Sequence, residues 1–359
     1  MARDAWLYGA DVESVEVAIT TGSPWTGHAG FAGLLPDERI VRDVLGRYPV
    51  FVDDHDPCQW SFDPRDVDSA VSIPAGYVTT SGRERAVWTL PAPSPYKSSR
   101  KAVRAVDQVI ATTCRDLRDE HLAIGYSGGL DSNLLASLID APRYTVGFPE
   151  TSDRIRATEA TDRPLHLVDL SHEALRSAIP PVSRAIGRTN AMDMAIALSL
   201  YLLAEEVASD GYDYIVLGQG ADELFGGYEK IARPDHRVHA DTVEGARREV
   251  LAGLPTGLER DVLALRAGGV EPVMPYLADR VVQTALKLDR EHLVREGVRK
   301  PILRDVASTY LSRTAAGREK TAIQYGNGVA RELDRLARQN GFKRRMGNHV
   351  GKYVQSLLD

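Results

Sequence analysis

Two stretches place glycines, hydroxyls and carboxylates where chemistry could occur. Residues 123–138 read AIGYSGGLDSNLLASL and residues 214–228 read YIVLGQGADELFGGY. Each starts as an apolar run, breaks at glycine, and resumes with a carboxylate just past the break. In the first, Gly128 and Gly129 let backbone N–H groups approach an anion with no Cβ in the way. Ser127 and Ser132 add hydroxyl donors. A helix beginning near Asp131 adds unpaired N–H groups and the positive end of its dipole. Together these are the parts of a phosphate cradle. The GxxxxGK[ST] loop is absent, and a carboxylate stands where that loop carries its lysine. Phosphates repel a carboxylate unless a cation bridges the two. Asp131 therefore implies Mg²⁺ held between the protein and a polyphosphate.

The elements that must position these residues follow from periodicity. "HLAIGY", "YTVGF", "PLHLVDL" and "YDYIVLG" read as strands, and "SNLLASLI", "HEALRSAIPPVSRAIG" and "AMDMAIALSLYLLAEEVA" as helices. Strands alternating with helices predict an α/β fold, a parallel sheet with helices on both faces. In such sheets ligands bind beyond the carboxyl ends of the strands, where "SGGLDS" falls. The first ~95 residues differ, with short β-like runs such as "YPVFVDD" and "RAVWTLP" between Pro, Gly and Asp turns. "PAPSPYKSS" (91–99) reads as a linker, because its prolines forbid helix and central strand. The predicted organisation is a small, mostly β domain at 1–95 and a second domain at 96–359. From about residue 240 the pattern is mostly helical.

The "SGGLDS" turn resembles the pyrophosphate-binding loop of the PP-loop ATP pyrophosphatases, which cleave ATP between the α and β phosphates. The second stretch resembles the "GEGADELFGGY" segment of asparagine synthetases and their lactam-forming relatives. "RYTVGFPETSD" (143–153), "GGVEPVMPYLADRVV" (268–282) and "GVRKPILRDVASTYLSRTAAGREKTAIQYGNGV" (297–329) resemble further segments of that family, in the right order. The resemblance covers about 105–340. It implies ATP bound on Ser127, Gly128, Gly129, Leu130, Asp131 and Ser132, with Gly218 and Gly220 from the second motif. Val146 and Gly147 would meet adenine through their backbone. Asp222 would join Asp131 in holding Mg²⁺, neutralising charge on the departing pyrophosphate. Glu223 is read as an acidic residue favoured by a helix dipole. Lys300 and Lys320 would meet phosphate oxygens as point charges. The chain has only eight lysines against 36 arginines, and none between Lys101 and Lys230, so lysines inside motifs are informative.

Two departures narrow the reading. Glutamine-hydrolysing members of the family begin with a cysteine nucleophile whose own amine is the base. Here residue 2 is Ala2, and Cys58 is internal. Yet "IVRDVLGRYPVFVDD" (40–54) resembles the glutaminase "RDxLGxxPLYY" stretch, so residues 1–95 read as a glutaminase remnant kept for packing. Ammonia, a separate amidotransferase or another nucleophile would supply nitrogen. The second departure is Gln219, where glutamine-using members carry Glu. A neutral amide cannot act as a base near pH 7. Gln219 would orient substrate, and Glu271 is either a base or a structural carboxylate. The resemblance implies adenylation of a small carboxylate, aspartate by default, followed by amide formation.

Composition bounds the alternatives. A net charge of −6 argues against a nucleic-acid partner through bulk charge, although "FKRRMGNHVGK" (342–352) is a short basic tail. Cys58 and Cys114 form neither a CxxC pair nor a disulfide framework, which suits a reducing cytoplasm. The N-terminal stretch lacks the pattern of a signal peptide, and no apolar run approaches a membrane span. Two rivals stay open: a PP-loop enzyme acting on tRNA, and a non-catalytic ATP-binding relative. The oligomeric state is also open, with a homodimer among the options.

Overall fold

In a computed structural model, residues 5–80, 82–117, 121–312 and 326–358 are described. They form two compact units. One comprises Met1–Leu117, Gly218–Glu259 and Met274–Tyr310; the other comprises Arg118–Leu217, Arg260–Val273 and Leu311–Asp359.

The first unit opens with β1 (Trp6–Tyr8), helix α1 (Val12–Thr21), β2 (Ala32–Leu34), β3 (Ile40–Arg42), β4 (Phe51–Asp53), β5 (Trp60–Ser61), β6 (Ala70–Ser72), β7 (Tyr77–Thr80) and β8 (Arg83–Ala86). An antiparallel sheet runs in the order β1-β2-β3-β7-β8, and a second runs β5-β4-β6. Ala32, Leu34, Ile40, Val50, Val52 and Ile73 form a buried core among these strands. The predicted run "RAVWTLP" ends as strand at Ala86. Val87 and Trp88 both donate their N–H to the Gly76 carbonyl, which takes them off the ladder. Helix α2 (Ser99–Asp116) buries Ala102, Val106, Ile110, Thr113 and Cys114, an i, i+4 stripe that its sequence spacing dictates.

The second unit is built on β9 (Leu122–Gly125), β10 (Arg143–Gly147), β11 (Leu165–Asp169), β12 (Tyr214–Val216) and β13 (Glu271–Val273). Every neighbouring pair is parallel, in the order β11-β10-β9-β12-β13. Helices α3 (Leu130–Leu138), α4 (Ser152–Glu159), α5 (His172–Ile186) and α6 (Ala191–Ser209) connect and flank the strands. The α/β class expected from the sequence is therefore what the chain adopts. All five residues of β10 are buried, as a strand inside a parallel sheet requires. The fifth strand escapes sequence reasoning because Pro272 sits in its middle. At the sheet edge that proline costs no ladder bond.

The strand order reverses between β9 and β12. Two chains of connection leave this sheet in opposite directions from there, the arrangement that opens a crevice beyond the strand ends. "SGGLDS" follows β9, and Gly218 follows two residues after β12. The remaining helices include α7 (Ala221–Phe225), α8 (Glu229–Ala232), α9 (Val243–Ala267), α10 (Asp279–Ala285), α11 (Arg290–Leu293) and α12 (Pro301–Ala307).

Candidate active site

The turn after β9 has the strand–turn–helix form that its sequence predicts. Gly129 caps α3, whose first residue is Leu130, with Asp131 in the first turn. The Ser127 and Ser132 hydroxyls lie 3.1 Å apart, and Ser132 Oγ also accepts the Ser127 N–H at 3.2 Å. Asn133 fixes the turn from below. Its Nδ2 donates to the carbonyls of Gly128 (2.8 Å) and Gly129 (3.0 Å), and its Oδ1 accepts from Tyr126 Oη at 2.5 Å. Both carbonyls are thereby satisfied within the turn. Sequence reasoning missed Asn133, although it follows the motif directly.

Gly128 is also required by the backbone and by packing. Its φ is +69°, the left-handed region. A Cβ there would lie 2.8 Å from both the Arg156 carbonyl oxygen and Ala157 Cα of α4. So α4 packs directly on the turn. On the next strand, Val146 is buried inside β10, in register with Val168, and the Gly147 carbonyl accepts the Leu170 N–H at 3.2 Å.

The same unit holds a buried carboxylate that the sequence did not single out. Asp153, in the first turn of α4, is 6% exposed and salt-bridged to Arg156 at 3.2 Å. Burial pushes its pKa up to about 6, even though Arg156 opposes the shift. Residues 326–328 close over it. Phe148 N–H donates to the Asn327 carbonyl (3.1 Å), Ser152 Oγ to the Gly326 carbonyl (3.3 Å), and Asn327 Nδ2 to Ser199 Oγ (2.7 Å). Glu271, at the start of β13, accepts Arg266 Nε on both carboxylate oxygens, at 2.8 and 3.1 Å.

In the other unit, "GQGADELFGGY" forms a tight turn and the short helix α7. Gly220 has φ +89°, and a Cβ on it would collide with Leu277. Gln219 is half-buried between Gly218 and Gly220. The Glu223 carboxylate accepts Tyr228 Oη at 2.7 Å. Asp222 and Lys300, 4% and 5% exposed, form a salt bridge of 2.6 Å between Oδ1 and Nζ. Lys300 is held with φ +54° and ψ +41°, just ahead of Pro301. A left-handed non-glycine residue costs of order 1–3 kcal/mol and is retained where surroundings dictate it. The pair depends on Gly227, because a Cβ at that position would run into Asp222 Oδ1 and Lys300 Cε. In the sequence the "GG" after α7 signals only the end of that helix. Gly226, with φ +77°, ends the helix.

The predicted residues thus fall into two groups. Ser127, Gly128, Gly129, Leu130, Asp131, Ser132, Val146, Gly147 and Glu271 belong to the sheet-bearing unit. Gly218, Gln219, Gly220, Asp222 and Lys300 belong to the other, which brings Asp222 and Lys300 together. Lys320 lies outside the described residues. Among the described residues, no three His, Cys, Asp or Glu side chains are grouped to hold a metal unaided. The donors available are single carboxylates, hard oxygen ligands that suit Mg²⁺ when phosphate and water complete its shell. Asp222 fits that use: its carboxylate is buried and already requires a cation beside it. No helix among the described residues is long and apolar enough to cross a membrane.

The asparagine synthase family model matches residues 110–257 and 239–350. A putative glutamine-hydrolysing asparagine synthetase of Methanocaldococcus jannaschii is 31% identical over 288 residues, covering 68% of this chain and 52% of that protein. Asparagine synthetase B of Escherichia coli is 25% identical over 232 residues, covering 56% and 40%. The chain spans about half the length, or less, of these curated relatives. The family model takes in both motif-bearing stretches and well over half of the sequence: the chain belongs to the asparagine synthase family.

Proposed function

We propose that this chain is an ATP-dependent carbon–nitrogen ligase that activates a small carboxylate as its adenylate and passes the acyl group to a nitrogen nucleophile. The observation that carries the reading is the Ser127–Ser132 turn, seated at the carboxyl end of β9 where the strand order reverses. Family membership supports ATP as the nucleotide. The turn's hydroxyls and the first N–H groups of α3 bind the phosphates, while Val146 and Gly147 bind the adenine edge. A substrate carboxylate oxygen attacks the α-phosphorus, the α–β P–O bond breaks, and pyrophosphate leaves with the electron pair. Lys300 and Lys320 carry positive charge to the phosphate oxygens where charge grows. Asp131 and Asp222 would be the carboxylates that hold Mg²⁺, whose charge would offset that of the polyphosphate. The nucleophile's nitrogen then attacks the acyl carbon and AMP departs. Its surplus proton goes to water, because Gln219 is neutral and Glu271 is committed to Arg266.

Aspartate and ammonia are the default pair. The Asp43–Arg47–Asp279 cluster supports the reading of residues 1–95 as a remnant kept for packing. Arg47 is buried between Asp43 and Asp279, both at 2.8 Å, and also donates to the Leu277 carbonyl at 2.7 Å. Burial works against its charge, and the two carboxylates more than offset it. The experiment is product analysis: ATP consumed with an acceptor acid and ammonium must give AMP and pyrophosphate in equal amounts. ADP and phosphate instead would refute the reading.

A further inference from the structure

Asp222 and Lys300 are both nearly inaccessible to water, and their charged atoms stand 2.6 Å apart. A buried carboxylate needs a cation, and here the protein supplies one of its own. The surroundings are shaped for that contact. Gly227 leaves open the volume beside Asp222 Oδ1 and Lys300 Cε, and its N–H donates to the Asp222 carbonyl at 2.7 Å. Arg299 Nη1 donates to the Gly227 carbonyl at 3.1 Å, and the Lys300 N–H to the Leu293 carbonyl at 3.1 Å. Lys300 therefore reaches Asp222 from a backbone pinned in the left-handed region. A Mg²⁺ ion bound to the same oxygen would stand about 2.1 Å from it. An ammonium already 2.6 Å from Oδ1 and a divalent ion on the same oxygen repel each other, so each weakens the other's hold on the carboxylate.

We infer that Lys300 is the built-in counter-ion of Asp222, holding the carboxylate charged and oriented in the metal-free protein and giving it up only when a divalent cation displaces the ammonium. The inference rests on the reading of Asp222 as a metal ligand. It gives Lys300 a role before any nucleotide binds, and makes Gly227 a positioning residue for the pair. It also means that free Mg²⁺ competes poorly for this site until phosphate offers the ammonium another partner.

The test is a titration of the nucleotide-free protein with Mn²⁺, followed by electron paramagnetic resonance of the free ion. Wild type and Lys300→Arg, which keep a cation at the site, bind weakly. Lys300→Gln binds at least ten-fold tighter, and the double variant Asp222→Asn/Lys300→Gln returns to weak binding. Equal affinity in wild type and Lys300→Gln overturns the inference, as does a Lys300→Gln gain that survives Asp222→Asn. Should Lys300→Gln fail to fold without metal, Mn²⁺ must restore its circular dichroism; no recovery also overturns the inference. Pyrophosphate exchange separates the two ideas. Normal exchange by the wild type, with Mn²⁺ affinity unchanged in Lys300→Gln, removes this inference alone, whereas absent exchange by the wild type with the predicted Mn²⁺ pattern removes the catalytic reading alone.

Discussion

The carboxyl group of Asp153 fills the space that a Cβ on Gly326 would need, so the two residues fit only because position 326 is glycine. Through this contact α4 joins two turns of its unit: it packs on Gly128 at one point and beneath residues 326–328 at another. The contact has a consequence for stability. The carboxyl ionises at about 6 in the folded chain, raised by burial, and near 3.9 once unfolded. Between those values the folded state holds the extra proton, so stability falls as pH rises through that window. At 1.36 kcal/mol per unit, the loss reaches roughly 3 kcal/mol above pH 7. Asp153→Asn should therefore stabilise the protein by about 2–3 kcal/mol at pH 8 and by almost nothing at pH 4. Urea unfolding at both pH values checks this; an equal effect at each would contradict it.

Arg47 makes the opposite prediction. Its replacement by leucine strands two buried carboxylates, Asp43 and Asp279. Breaking a buried ionic cluster from one side costs about 3–5 kcal/mol. Guanidinium unfolding of Arg47→Leu should show that loss, while Lys101→Ala, on the exposed side of α2, changes stability by less than about 0.5 kcal/mol.

The cysteines should behave differently from each other. Cys58 is exposed, and Cys114 is buried in α2 with its thiol pushed up to about 12 by burial. A disulfide-exchange reagent at pH 8 should titrate one thiol per native chain and two in denaturant. Two fast-reacting native thiols would show that the α2 packing is wrong.

Asn133 and Gly128 shape the Ser127–Ser132 turn, the proposed phosphate site, without supplying charge. Asn133→Ala removes both bonds to the Gly128 and Gly129 carbonyls, and Gly128→Ala meets α4 at 2.8 Å. Each should raise the KM for ATP at least ten-fold, by isothermal or kinetic titration, while a control at Ser137, on the exposed side of α3, leaves it unchanged.

The contrast among these residues shows what a sequence reveals. Ser127–Ser132 was legible because a contiguous motif sits between one strand and one helix, so local spacing carried its meaning. β13 was not, because three residues with a central proline resemble a loop until the edge of the sheet is known. Gly227 was readable only in part: its GG neighbour signals a helix end, but nothing local announces the ion pair beside it. Asp153 and Gly326 are far apart in sequence, and no pattern of spacing links them. The tertiary fold makes that contact, and single-sequence reasoning has no access to it.

The most direct measurement is ATP–pyrophosphate exchange, with labelled pyrophosphate and a panel of small carboxylic acids led by aspartate. Exchange should require Mg²⁺ and one acid, and should fall at least a hundred-fold in Asp131→Asn. No exchange with any acid by a protein that binds Mg·ATP, or full exchange by Asp131→Asn, would contradict it.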